Sequence, residues 1–196
     1  MAESEGQLSE KIALLAAAAC AALATPAMAQ NVTGTITLNG TVASKCSVTS
    51  APAGSTFTQT VSFGELAQSN GTLKSGLDTA FTAAAVQATV VCNTGTPKVS
   101  VNADPMVNTV TAPTGYANTI NYTASVAVNT TAANAGPFTN ATTATPLTAT
   151  TIGGGSLANA ASNINITTTG YGTTNASDIL VAGAYTGNIV VVISPN

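Results

Sequence analysis

Between residues 30 and 42 the chain alternates. Val32, Gly34, Ile36, Leu38, Gly40 and Val42 occupy every second position, and Asn31, Thr33, Thr35, Thr37, Asn39 and Thr41 stand between them. A repeat of two places one set on each face of an extended strand, the pattern of a half-buried β-strand. The same repeat returns further along. Phe57, Gln59, Val61 and Phe63 share a face, and so do Val86, Ala88, Val90 and Cys92. The pattern continues through Val99 and Val101 and is cleanest at Ile120, Tyr122, Ala124, Val126 and Val128. The Ala-rich stretch within residues 80–92 reads as strand because Thr, Val and Phe flank it. Ile164 and Ile166 mark a further short strand, and residues 183–193 are apolar on both faces, as in a strand covered on two sides.

Turn signals separate these runs: Pro52 with Gly54, Asn70-Gly71, Gly95 with Pro97, Asp104-Pro105, and Pro113 with Gly115. Residues 130–162 carry little but Thr, Ala, Asn and Gly, and predict long loops with weak, short strands. No helical periodicity follows Ala29. The fold class expected is all-β, an antiparallel β-sandwich of immunoglobulin-like or Greek-key type.

Composition narrows the chemistry. Charged residues make up 6% of the 196-residue chain, against roughly 25% in ordinary soluble domains. Beyond residue 29, Lys45, Lys74 and Lys98 nearly cancel Glu65, Asp78, Asp104 and Asp178. No basic patch exists to attract nucleic acid or an anionic membrane. The chain has no His, Arg or Trp, and so lacks the commonest general base, the commonest transition-metal ligand and the bidentate phosphate clamp. An enzyme would need a constellation such as Glu65 with Asp78 or Asp104, and nothing in the pattern brings them together. No catalytic role, metal or cofactor is expected. The glycines at 153–155 lack the strand-to-helix setting and the Lys-Ser/Thr pair of a phosphate loop.

The first residues read as a leader. Lys11 precedes an Ala/Leu-rich run over residues 12–23, and Ala27-Met28-Ala29 forms a small-residue cleavage signal, so residues 1–29 are expected to be a signal peptide. Glu3, Glu5 and Glu10 make its opening acidic where positive charge is usual. The apolar run is short for a membrane span, and no membrane anchor is expected after cleavage. Cys20 leaves with the leader. Cys46 and Cys92 remain, an even number in an oxidising compartment, and predict one disulfide. The expected organisation is a signal peptide at 1–29, an N-terminal extension at 30–43 and one domain at 44–196.

Order and position of these features resemble a known family. A short alternating strand through Val32, Gly34, Ile36 and Leu38 leads to Cys46. The second cysteine closes Val90-Val91-Cys92 ahead of Gly95-Thr96-Pro97. The sequence ends on Ala184-Tyr185-Thr186-Gly187-Asn188-Ile189-Val190-Val191-Val192. This resembles the spore coat U family, which includes the major subunits of archaic chaperone-usher pili. Residues 104–178 resemble it only at Tyr122 and its alternating strand.

The resemblance implies an immunoglobulin-like domain lacking its last strand, with a groove beside the C-terminal strand lined by Tyr185, Ile189, Val191 and Ile193. It implies a periplasmic chaperone that fills the groove transiently and an outer-membrane usher where the next subunit's extension replaces it. The donor residues would be Val32, Gly34, Ile36, Leu38, Gly40 and Val42. The product would be a head-to-tail homopolymer at the cell surface, a pilus serving adhesion or biofilm formation. Such β-augmentation takes affinity from backbone hydrogen bonds and specificity from alternate side chains. Pattern alone leaves a second reading open, in which residues 32–42 are the first strand of a self-contained secreted binding module or adhesin. Residues 130–162 are read as a surface loop exposed on such a fibre, contributing to adhesion or filament contacts.

Overall fold

The strand with the cleanest alternation, β7 (Thr119–Asn129), is also the longest, and it sits at the centre of the largest sheet. Its residues are rich in Ile, Val, Tyr and Thr, which suit a pleated surface. Ile120, Tyr122, Ala124, Val126 and Val128 are buried while the residues between them are partly exposed.

The structure is a computed structural model and describes residues 33–50, 53–157 and 161–196. The chain divides into two units, Met1–Thr41 and Val42–Asn196. The described part of the first unit, residues 33–41, has no regular secondary structure and is exposed throughout. The leader expected at 1–29, and Gln30, Asn31 and Val32 of the alternating segment, lie outside the described residues.

In the second unit β7 pairs antiparallel with β10 (Ile164–Gly172), with β8 (Asn134–Ala141) and, at its start, with β5 (Met106–Val107). The far side of β10 carries β2 (Gln87–Ala88). A second antiparallel sheet runs in the order β12 (Ile189–Ser194), β4 (Lys98–Ala103), β9 (Leu147–Thr151). β1 (Cys46–Val48) pairs antiparallel with β3 (Val90–Cys92), and β6 (Tyr116–Ala117) pairs parallel with β11 (Ile179–Leu180). One short helix, α1 (Leu77–Ala83), lies among the described residues. The protein is therefore all-β, built from several mainly antiparallel sheets.

Inward residues of these sheets form one cluster, with Val99 and Val101 of β4, Val126 and Val128 of β7, and Ile164 of β10 nearly or wholly inaccessible. The register of β1 against β3 sets Cys46 directly opposite Cys92, with Cα atoms 4.1 Å apart and the sulfurs bonded at 2.04 Å. The expected disulfide is present.

Asparagine side chains do work that a charged protein would assign elsewhere. Buried Asn163 accepts from Val90 N at 2.8 Å and donates to Val90 O at 2.7 Å, so one amide serves as a strand partner for β3. Asn140 likewise accepts from Ala103 N and donates to Thr145 O, both at 2.8 Å. Both replace hydrogen bonds that buried backbone would otherwise lose.

Five expectations are corrected. Residues 80–92 are not one strand: α1 occupies the start, and β2 and β3 follow. Leu77 and Phe81 are four residues apart and both buried, a helical spacing that outweighs the Thr and Val on the flanks. This also corrects the expectation of no helix after Ala29. Residues 57–63 keep their alternation but join no sheet. Residues 130–162 contain the eight-residue β8 as well as β9, because pairing with β7 and β4 supplies what weak apolar content does not. The closing strand, expected to be covered on both faces, has no fully buried residue in β12. Val190 and Val192 are 48% and 50% exposed.

Candidate functional site

Two stretches of the second unit have backbone without a sheet partner. In residues 55–63, Phe57, Val61 and Phe63 are half-buried and pack against the core, while the residues between them are exposed. No backbone–backbone hydrogen bond joins residues 55–63 to any other described residue. Side chains hold the segment instead: Gln59 Nε2 donates to Ala84 O at 3.0 Å, and Lys74 Nζ donates to Phe63 O at 3.2 Å. The second stretch is β12. It pairs with β4 from Ile189↔Ala103 to Ser194↔Lys98 and is the edge of its sheet, so among the described residues its other side has no strand. Ile189, Val191 and Ile193 lean on the core and remain partly exposed.

Both stretches line one groove of about 900 Å³. Val86, Val90, Ile166 and Tyr122 from the core contribute to its wall, and no Lys, Asp or Glu lines it. Of the chain's four phenylalanines and four tyrosines, all but Phe138 and Tyr116 line this groove. The rings contact one another: Tyr122 stacks on Tyr171 with centroids 5.3 Å apart, Tyr171 meets Phe63 edge-on at 5.6 Å, and Phe63 lies 6.4 Å from Phe81. Such pairs add to the stabilisation from area burial alone.

The phenol groups are spent on structure. Tyr122 OH lies 2.8 Å from Asp104 O and 3.1 Å from Asn188 O, bracing the entry to β12. Tyr185 OH lies 2.8 Å from Ala117 O and 3.0 Å from Val181 O. Burial, with Tyr171 and Asp104 nearby, holds Tyr122 well above the usual tyrosine range. Burial also raises Tyr171, against the opposing hydrogen bond with Thr168 and with a further upward push from Asp78. Tyr185 is raised by burial, partly offset by its hydrogen bonds. Burial thus favours the neutral form of the three phenols that face the groove. Close packing shapes one end: a Cβ at Gly187 would sit 2.9 Å from Pro105 O and 3.0 Å from Asp104 O.

Tyr185, Ile189, Val191 and Ile193 all line the groove, and so does Cys46. On the alternating segment, Ile36 and Leu38 are 87% and 89% exposed. Val42, at the start of the second unit, is equally bare, and nothing lies within 4 Å of the Cβ positions of Gly34 and Gly40. Val32 is outside the described residues. The acids serve locally: Glu65 Oε1 accepts from Ala67 N at 3.0 Å, Asp78 lies in the first turn of α1, and Asp104 Oδ1 is 3.4 Å from Asn102 Nδ2. No cluster of three or more His, Cys, Asp or Glu forms among the described residues. No described helix is long and apolar enough to cross a membrane.

The part played by Phe57, Phe63, Phe81 and Tyr171 was not drawn from the sequence. The available signal was the alternation of residues 57–63, which reads as a strand and becomes a groove wall only when no partner strand is found for it.

The chain matches no family model, no curated protein and no solved structure.

Proposed function

We propose that this protein is the structural subunit of an extracellular fibre, and that the groove receives the N-terminal segment of a second copy. The carrying observation is the groove itself, lined by β12 and by residues 55–63; among the described residues the outer edge of β12 and the backbone of 55–63 have no backbone partner. A strand laid there would find unpaired backbone on both sides and apolar walls below it, the chemistry of β-augmentation. The domain is then an immunoglobulin-like sandwich short of one strand.

The occupant is the segment from Val32 to Val42, whose alternating face carries Ile36 and Leu38 into solvent in the described structure. Burying each large apolar side chain is worth roughly 1.5–3 kcal/mol before ordering costs. The groove of one copy and the segment of the next form a head-to-tail contact that does not close on itself, so a filament results. An open strand edge invites aggregation. The reading therefore includes a periplasmic chaperone that covers the groove until an outer-membrane usher exchanges it, and export with a cleaved leader. The fibre serves adhesion or biofilm formation, with the exposed strand β9 available for contacts on its surface. The protein is non-catalytic in this reading, and no cofactor enters it.

Negative-stain microscopy of the secreted protein tests the proposal. Thin fibres that survive SDS are expected, and they should be lost when Ile36 and Leu38 are replaced by aspartate. Monodisperse globules from the unaltered protein would overturn the fibre reading and leave a self-contained binding module.

A further inference from the structure

The sequence holds two Asn-Gly pairs, Asn39-Gly40 and Asn70-Gly71, and they lie in opposite surroundings. Asparagine followed by glycine is the arrangement most open to attack by the following backbone nitrogen on the side-chain carbonyl carbon. Glycine has no Cβ to obstruct that approach, and its backbone moves freely.

At Asn70-Gly71 both partners of the attack are tied. Gly71 N donates to Gln68 O at 2.9 Å. Asn70 Oδ1 accepts from Thr72 N at 3.1 Å and from Thr72 Oγ1 at 2.8 Å. The Cβ side of Gly71 is closed by Ile179, whose Cγ2 lies 2.8 Å from where a Cβ would stand. At Asn39-Gly40 none of this holds. Both residues are exposed, neither lies in regular secondary structure, and nothing comes within 4 Å of the Cβ position of Gly40. Neither residue makes a hydrogen bond to another described residue.

We propose that Asn39-Gly40 is a site of spontaneous modification in the free subunit, at which Asn39 loses its amide. Hydroxide removes the proton from Gly40 N, which attacks Asn39 Cγ. The new N–Cγ bond closes a five-membered succinimide, and Nδ2, protonated by water, leaves as ammonia. Water then adds to one of the two ring carbonyls and opens the ring to aspartate or isoaspartate. The net change is replacement of NH2 by OH, with water as the only co-reactant and no change of oxidation state. Because the attacking nitrogen must first lose a proton, the rate rises with pH.

The consequence for assembly rests on the donor-strand reading. Isoaspartate routes the main chain through the former side chain and inserts one extra backbone atom between Leu38 and Val42. The apolar face is then out of phase on either side of position 39, and a strand whose repeat is two does not tolerate such a slip. Ordinary aspartate keeps the register and places its charge on the polar face, away from the groove. A subunit that waits too long before assembly thus disables its own donor segment. Within a fibre, Gly40 N is engaged in the strand ladder and the attack stops.

The test uses the intact monomer held at mildly alkaline pH, cleaved at lysine and followed by mass for the NH2-to-OH change, with isoaspartyl methyltransferase labelling. The reduced, unfolded chain is the control in which both sites convert. In the folded chain Asn39 should convert at close to the unfolded rate and Asn70 at least about tenfold more slowly, as local protection dictates. Gly40→Ala should slow conversion at Asn39. Retention of the amide at Asn39 in the folded chain, or equal conversion at Asn70, overturns the proposal. For the consequence, the isoaspartyl fraction should be excluded from fibres that Asn39→Asp subunits enter, and equal entry overturns it. Failure of every form to make fibres would sink the donor-strand reading and the consequence with it, while the contrast between Asn39 and Asn70 would stand on its own measurement.

Discussion

β10 and β12 are instructive when set side by side. β10 runs through Ile164, Asn165, Ile166 and three threonines, and its inward residues Ile164, Ile166 and Thr168 are 0%, 4% and 1% exposed. β12 is far more apolar, with Ile and Val at five consecutive positions, yet it has no fully buried residue. The difference lies in neighbours. β10 is paired on both sides, by β7 and β2, while among the described residues β12 is paired only by β4. Apolar content states how much cover a strand needs, and the arrangement of the other strands decides whether the chain supplies it. Among the described residues β12 is covered by a strand on one edge alone, and its side chains line the groove.

The largest expected effect comes from the disulfide that ties β1 to β3. Replacing Cys46 and Cys92 by serine should lower unfolding free energy by about 4 kcal/mol on the loop-entropy estimate, read by denaturant titration. Next is the direct comparison of the two strands. Ile164→Ala should cost about 3 kcal/mol, as buried truncations do, and Ile193→Ala less than about 1.5 kcal/mol, since its side chain is already partly in water. Equal costs would erase the distinction between covered and uncovered strands.

A synthetic peptide of residues 30–42 should sharpen it from the other side. If the groove receives this segment as proposed, the peptide at a hundred times its Kd should stabilise the protein lacking residues 30–42 by about 2.7 kcal/mol. The same peptide with aspartate at both Ile36 and Leu38 should leave the melting curve unmoved.

Alkali should act on the groove's aromatic wall. Tyr122 and Tyr171 have folded pKa values raised by burial. Their contribution to stability is complete below the unfolded tyrosine value near pH 10, and it falls as pH rises from there toward the folded values, because only the unfolded chain ionises easily. Melting temperature should decline above about pH 10, and Tyr171→Phe should shrink that decline. The smallest effect is on the folded domain itself: Ile36→Asp with Leu38→Asp should change its stability by no more than about 0.5 kcal/mol, while the proposed fibre reading requires that the same change abolish fibres.

How much of this was legible before the structure varies with the element. The alternation at β7 survived intact because a long period-two run with buried neighbours has no competing solution. α1 was missed because its seven residues are too few for helical periodicity to stand out, and the relation between Leu77 and Phe81 was hidden in an Ala/Thr-rich setting. Residues 57–63 were legible as an alternating segment and not as a groove wall, since a strand's partners are remote in sequence. β8 and β9 were under-read because Thr and Asn signal turns when considered alone, yet they pair readily once a neighbouring strand offers its backbone.

By itself, the sequence determined the all-β class, the period-two faces, the pairing of Cys46 with Cys92 and the scarcity of catalytic side chains. These depend on local spacing and residue chemistry. Only the tertiary structure decided which strands are covered, that the aromatic residues gather along one groove, and that β12 keeps a free edge. Those outcomes are fixed by contacts between residues far apart in the chain, such as Asn163 with Val90 and Tyr122 with Asn188, and no local repeat encodes them.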